Sequence, residues 1–314
     1  MRRVLLIGNY GVGNLGDEAL CRFFQRRYPH ICFDVVSACP GEGEYPRFPF
    51  GLRSLLRPWW RTLRALFRCD GVVFGGGSLF TDIESASACR LWWWHALFAR
   101  LFKKPIILAF QGIGPFRSAA SERLARSVVR ASVALSVRDF ASFTRVETWR
   151  LNKKVVLSFD PLYALMRSVS VRSAPRKIIA LIPRRNSGQA FIDACMTAVR
   201  EADWEGVVIL SLQPSNRGER KVCERLKTAL GRATVVPVSA LDQLVQLVSE
   251  AGCVVSERYH GALAALALGK PLVLVSQGSD DKLSTLSHLL RVPPEELLNL
   301  IEEGERALFD ALAT

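Results

Sequence analysis

The sequence predicts an α/β protein made of two Rossmann-like domains whose parallel sheets face a cleft. Three observations carry that expectation. Short β-branched or aliphatic runs alternate with stretches of helical periodicity along the whole chain. One strand after another ends in a loop carrying Gly, Arg or Asp, at 8–16, 75–82, 111–115, 136–139 and 158–161, and parallel sheets gather such loops on the edge where ligands bind. A length of 314 residues is comfortable for two cores, and a polar, basic stretch containing Pro175, residues 168–177, separates two strand-and-helix series. The expected domains are therefore 1–167 and 177–314, with a last helix able to pack back on the first domain.

Composition bounds the function. Hydrophobic residues make up 49% and charged residues 23%, which is globular and excludes disorder. A formal net charge of +13 calls for an anionic partner: nucleic acid, an acidic membrane surface or an anionic substrate. No stacking-aromatic or zinc module accompanies the charge, which argues against nucleic acid. Eight cysteines without a CxxC pair, mostly beside apolar residues, read as reduced and buried. The first strand is too short for a signal-peptide core and no apolar run reaches the ~18–20 residues of a membrane span. A cytoplasmic location is expected.

The elements follow in order. Residues 4–7 form a buried strand, then a glycine loop leads into a helix ending near residue 27. Gly11, Gly13 and Gly16 spell GxGxxG. Asp17 and Glu18 open that helix, where they suit its dipole but would repel a pyrophosphate, and the acid wanted at the end of the second strand is absent, since Asp34 lies inside it. A loop that offers backbone N–H groups to a small anion or sugar is favoured over a dinucleotide site. In 47–68, Arg53, Arg57, Arg61, Arg64 and Arg68 recur at helical spacing, opposite Leu52, Leu55, Leu56, Trp59, Trp60, Leu63, Leu66 and Phe67, and Pro58 kinks or restarts the helix. Two readings stay open: a solvated arginine face on a helix that packs by its apolar side, or an interfacial helix on an anionic membrane. Strand 71–74 then enters Gly75, Gly76 and Gly77, whose lack of side chains admits close backbone approach.

The second series begins with strand 178–182 before Pro183, Arg184 and Arg185, and continues with strand 207–212 before Gln213 and Arg217. Helices are expected at 219–230 and 239–250, with strand 234–236 between them. Strand 253–255 runs into the turn Ser256, Glu257, Arg258, Tyr259, His260 and Gly261, followed by a buried Ala/Leu-rich helix, 262–268, and a second buried strand, 272–275. Arg258 or His260 alone reads equally well as a paired structural residue; together, in the turn between two apolar elements, they favour a site.

Six motifs, GNYGVGNLGDEAL at 8–20, GGGSLFTD at 75–82, QGIGP at 111–115, SVRD at 136–139, SERYHG at 256–261 and GKP at 269–271, resemble the polysaccharide pyruvyltransferase family over nearly the whole chain. The resemblance implies a fold related to the GT-B glycosyltransferases. It also implies transfer of pyruvate from phosphoenolpyruvate to a sugar of a cell-wall or exopolysaccharide precursor, with formation of a ketal. It gives Arg258 and His260 donor binding and acid catalysis, and Lys282 matches a lysine after the Gly-x-Pro strand. Ser256, Gly261 and Arg184 complete the expected donor side, although 180–185 departs from the family's usual Ser-Leu-Arg pattern. Asn14, Gly16, Asp17, Gly76, Gly77 and Asp82 are the expected acceptor side.

The chemistry suits these residues. A donor with a phosphate and a carboxylate needs cations, and protonating its methylene carbon needs an acid near neutral pH. No metal and no cofactor beyond the phosphoenolpyruvate donor is expected. A glycan acceptor, carried on a lipid, would bring the enzyme to an anionic membrane surface. The alternative is a nucleotide-sugar glycosyltransferase of the same architecture, with the same turn cations on a diphosphate.

Overall fold

The computed structural model describes residues 1–83, 85–170, 176–278 and 282–313. The chain divides into two compact units: Met1–Val12 with Asp17–Pro161 and Glu295–Thr314, and Gly13–Gly16 with Leu162–Pro294. The division thus falls at Pro161, ahead of the stretch expected to be a linker, of which residues 171–175 lie outside the described residues.

The first unit runs β1 (Arg2–Ile7), α1 (Leu15–Arg27), β2 (Ile31–Ser37), β3 (Tyr45–Pro46), α2 (Leu52–Leu55), α3 (Trp60–Arg68), β4 (Gly71–Phe80), α4 (Ala86–Leu101), β5 (Ile106–Ile113), α5 (Ala119–Ala131), β6 (Ala134–Val137), α6 (Phe140–Thr148) and β7 (Val156–Leu157). Its sheet has the order β3-β2-β1-β4-β5-β6-β7, with every pairing parallel. Strands buried on both faces explain the unbroken apolar runs of β1 and of the start of β4, whose Val4, Leu5, Leu6, Val72 and Val73 are fully buried.

Two strands outlast their expected ends. β4 was expected to stop before its glycines and β5 before Gln111; both continue, because Gly76 and Gly77 adopt φ of +73° and +80° and form an irregularity through which pairing with β5 resumes at Phe80 and Ile113. Gln111 sits inside the sheet, fully buried, and its amide donates to the carbonyls of Phe74 (2.9 Å) and Gly76 (3.1 Å).

The second unit runs α7 (Leu162–Ser168), β8 (Ile178–Ile182), α8 (Gln189–Arg200), β9 (Gly206–Ser211), α9 (Arg217–Leu230), β10 (Ala233–Pro237), α10 (Leu241–Glu250), β11 (Cys253–Ser256), α11 (Tyr259–Ala267), β12 (Leu272–Leu274) and α12 (Lys282–Leu289). Its parallel sheet has the order β10-β9-β8-β11-β12. β12 is an edge strand with Val273 exposed, not the buried strand that its apolar sequence predicts, because it has a neighbour on one side only. α7 belongs to this unit: Arg167 donates to the carbonyl of Ala267 on α11 (3.1 Å).

The last helix, α13 (Pro294–Ala313), returns to the first unit. Gly304 makes this possible, since a Cβ there would run into Ser158 and Phe110. Arg27 grips Glu305 with two hydrogen bonds of 2.8–2.9 Å.

His95 on α4 is fully buried and structural. Its Nδ1 lies 2.8 Å from the Leu91 carbonyl and its Nε2 accepts from the Phe48 N–H (3.1 Å), an arrangement that suits the neutral ring. Burial pushes its pKa down to about 4 from the ordinary 6.5. In the unfolded chain this imidazole takes up a proton near its ordinary pKa, and in the fold only near 4. Above that ordinary pKa the ring is neutral in both states and contributes no pH dependence. As pH falls through the window between the two values the unfolded state binds the extra proton, and stability drops by up to about 3 kcal/mol. Thermal melts across this window should show the loss in the wild type and a flatter profile for His95→Gln, which keeps an acceptor for Phe48. Equal slopes in the two proteins would refute the assignment. Burial likewise raises the thiol pKa of Cys21 to about 12 and of Cys89 and Cys223 to about 11, so these cysteines behave as inert core residues.

Candidate active site

Each sheet has one place where successive connections diverge, between β1 and β4 in the first unit and between β8 and β11 in the second. Open α/β sheets bind ligands at the carboxyl ends of those strands. The donor-side and acceptor-side residues expected from the sequence, Lys282 apart, lie in or just after these four strands.

In the second unit the β11 turn is stitched to three neighbouring loops by consecutive side chains. The Ser256 hydroxyl closes the turn, accepting from the Arg258 N–H (3.1 Å) and donating to the Arg258 carbonyl (2.8 Å). Glu257, only 3% exposed, accepts from the Ser187 hydroxyl after β8 and from the Gln277 amide after β12 (3.0 Å). Arg258 reaches the Pro183 carbonyl after β8 with Nε (3.3 Å) and the Gln213 side chain after β9 with Nη2 (3.4 Å). Nη2 also pairs with Glu219 on α9.

Glu219 is the residue that sequence reasoning passed over. It is fully buried, and its other oxygen accepts from the Ser211 hydroxyl (2.9 Å) and the Gln213 N–H (2.7 Å). A Glu three residues after Asn216 reads as half of a capping box. Asn216 does cap α9, accepting from Gly218 and Glu219 N–H groups, but the glutamate turns inward to hold Arg258. Among the described residues Nη1 of Arg258 makes no hydrogen bond, and the side chain keeps 14% of its surface exposed. The guanidinium is therefore fixed on one side and open on the other.

Arg258 is also the N-cap of α11, which puts His260 in the first turn of that helix. Gly261 allows the turn to form against the sheet: a Cβ there would lie 2.7 Å from Ile182 and 2.8 Å from the Ser256 hydroxyl. The His260 ring stands edge-on to Tyr259 with centroids 5.3 Å apart, and its Nε2 is shielded from solvent. Its other face lies on Gly16, where a Cβ would fall inside the imidazole. The tetrapeptide Gly13–Gly16 is held to this unit by two more contacts, the Leu15 N–H with the Leu212 carbonyl (3.4 Å) and Gly13 beside the Ser215 hydroxyl. Two motifs some 240 residues apart in sequence thus meet at His260. Arg184 is half-buried, with its N–H bonded to Ser187 (2.8 Å). Lys282 opens α12, but its side chain and residues 279–281 lie outside the described residues.

In the first unit Asp17, at 9% exposure, accepts from the Asn9 amide (2.9 Å), and Gly77 lies beside its other oxygen. Tyr10 ties the β1 loop to β4 through the Gly75 carbonyl (2.6 Å). Arg47, a further residue missed from sequence, donates to Asn9 and to the Tyr10 carbonyl (3.2 Å each) and lies 4.7 Å from the Trp92 ring. Burial lowers its pKa to about 10, against the opposing pull of Asp17. Its signal was hidden by the five regularly spaced arginines that follow. Asp82 is engaged by backbone, accepting from Arg117 (2.7 Å) and Ser118 (3.0 Å), so it anchors the entrance of α5. Arg138 forms a buried pair with Asp160 (2.8 Å) and donates to Ser78 (3.0 Å), which joins the ends of β4, β6 and β7. Asn14 and Gly16 fall in the second unit and Asp17, Gly76, Gly77 and Asp82 in the first. Among the described residues no three carboxylate, imidazole or thiol groups converge as metal ligands.

A family profile described as polysaccharide pyruvyl transferase matches residues 14–279. No curated protein sequence matches the chain. Among solved structures, MnaA of S. aureus with UDP superposes with a TM-score of 0.59 at 13% identity, covering 97% of this chain and 91% of that one. HepE of Anabaena in complex with UDP and glucose gives 0.57 at 12% identity, with 99% and 95% covered. The UDP-GlcNAc 2-epimerase of Neisseria meningitidis bound to UDP-GlcNAc gives 0.56 at 13% identity, with both chains fully covered. Likeness at this level concerns the fold, two Rossmann-like domains of the GT-B kind.

Proposed function

The chain belongs to the polysaccharide pyruvyl transferase family, and from that premise we propose that it moves pyruvate from phosphoenolpyruvate onto a sugar of a cell-envelope glycan, forming a ketal and releasing phosphate. The observation that carries this reading is the half-committed guanidinium of Arg258. Glu219 fixes Nη2, while Nη1 remains open at the N-terminus of α11, where helix amides and a cation together suit an anion.

In the proposed reaction Arg258 holds the donor, with Lys282 as a second cation and Ser256, Gly261 and Arg184 shaping the loop. His260 gives a proton to the methylene carbon, which becomes the methyl group, and C2 becomes oxocarbenium-like. One sugar hydroxyl adds to C2 and loses its proton, which restores His260. The C–O bond to phosphate then breaks, and a second hydroxyl of the same sugar adds to C2. Its proton leaves with the phosphate. Asn14, Gly16, Asp17, Gly76 and Gly77 are proposed for the acceptor, with Asp17 accepting a hydrogen bond that orients one of its hydroxyls. Asp82, held by one backbone N–H on each oxygen, is proposed with them and has acceptor capacity left for a sugar hydroxyl. The acceptor is proposed to be a lipid-linked precursor, used at the cytoplasmic leaflet.

The deciding experiment offers the protein a glycan acceptor with either phosphoenolpyruvate or UDP-sugars. The expected result is inorganic phosphate and an acid-labile ketal from phosphoenolpyruvate alone. A glycosidic product from a UDP-sugar, with no phosphate from phosphoenolpyruvate, would establish a glycosyltransferase instead.

A further inference from the structure

Residues 46–68 contain six arginines and no carboxylate, and their apolar side chains do not go where amphipathic helices normally send them. α2 is a single turn, closed by the Ser54 hydroxyl, which accepts from the Phe50 N–H (2.7 Å) and donates to the Gly51 carbonyl (2.6 Å). Leu52, Leu55 and Leu56 share one face of that turn by their spacing. The face points outward, with Leu52 85% and Leu56 89% exposed. Arg57 pins the turn through the Ala38 carbonyl (2.6 Å).

α3 adds to the same character. It buries Thr62, Ala65 and Leu66, and presents Trp60 and Phe67, 60% and 69% exposed, on the side that carries Arg64 and Arg68. The surface continues onto the end of α4: Phe67 meets the Phe102 ring edge-on (6.3 Å), and Lys104 donates to the carbonyls of Phe67 (3.0 Å) and Cys69 (2.6 Å). Leu101 is 67% exposed there, beside exposed Arg100 and Lys103.

We infer that residues 50–68 seat the protein on an anionic lipid bilayer, with Leu52, Leu55, Leu56 and Trp60 inserted among the acyl chains and Arg61, Arg64 and Arg68 on the headgroups. The mixture selects this occupant. A second copy would bring arginine against arginine, which is repulsive at an interface. Nucleic acid would satisfy the arginines but leave the leucines in water. An anionic bilayer takes both, apolar side chains below and guanidinium groups at the phosphate level. The side chain of Arg53 lies outside the described residues. Among the described residues no helix is long and apolar enough to cross a membrane, so this seat is peripheral. The inference does not depend on the donor, and adds to the proposed reaction the surface on which it takes place.

Sedimentation of the full-length protein with phosphatidylcholine vesicles, with and without phosphatidylglycerol, tests it. The wild type is expected to bind the anionic vesicles and not the neutral ones. The triple variants Leu52→Gln/Leu55→Gln/Leu56→Gln and Arg61→Gln/Arg64→Gln/Arg68→Gln should each bind on the order of a hundredfold more weakly. All six side chains lie outside the proposed catalytic machinery, so phosphate release with a soluble acceptor is expected to be unchanged, and loss of vesicle binding is read separately from loss of transfer. Wild-type partitioning of the leucine variant would overturn the inference, because charge alone would then suffice. So would a wild type that ignores anionic vesicles, or one that forms a dimer which the leucine variant separates.

Discussion

His260→Ala is expected to lower kcat by ~10²- to 10⁴-fold, the usual share of a general acid, with a smaller effect on donor binding. The more searching variant is Gly16→Ala. Gly16 is the second residue of α1, where alanine is the better helix former by about 1 kcal/mol, so backbone preference gives no reason for the fold to weaken. Its new Cβ would occupy the space of the His260 imidazole, and the ring must turn away. A displacement of about 1 Å in a proton donor costs on the order of 10²-fold. The expected outcome is a folded protein, its melting temperature lowered only by the cost of displacing the ring, with turnover close to that of His260→Ala. Combining the two changes should add little, since both remove one function. Full activity in Gly16→Ala, with the fold intact, would mean that the observed position of His260 is not the one used in catalysis.

Much of the architecture was legible because its signals are local. Each strand of a two-sided parallel sheet is an apolar run, and each handover to a helix carries Gly, Ser, Arg or Asp; β8, β9 and β11 were placed within two residues of their ends on this basis. The misreadings have physical causes. Glycine usually closes a strand, but Gly76 and Gly77 bend one that continues. An edge strand and a central strand have the same composition when short, so β12 looked buried. In residues 47–68 the sequence pattern separated arginine from apolar residues but could not say which apolar residues pack inward. Leu66 does, and Leu52, Leu55 and Leu56 do not. Pairings such as Arg138 with Asp160 and Arg258 with Glu219 depend on which strands become neighbours, which local pattern does not encode.

Glu219→Ala should affect both stability and donor binding, and comparison with Arg258→Lys separates the two. The alanine leaves the Arg258 guanidinium and the Gln213 N–H without their buried acceptor, and breaking a buried ion pair from one side costs about 3–5 kcal/mol. Glu219→Gln keeps an acceptor for Ser211 and Gln213 but removes the charge, so its stability loss should be smaller. In both variants the guanidinium is free to leave the position in which Nη1 faces the proposed donor. KM for phosphoenolpyruvate should therefore rise even in Glu219→Gln, where the fold survives. Arg258→Lys retains the charge beside Glu219 but has a single nitrogen, which cannot hold the glutamate on one side and an anion on the other. It should lose most activity while its melting temperature falls less than that of Glu219→Ala. Denaturant titration together with donor-dependent kinetics on the three variants checks the scheme. Near-normal kcat/KM in Arg258→Lys would reduce the Arg258–Glu219 pair to a structural brace and remove the arginine from the donor site.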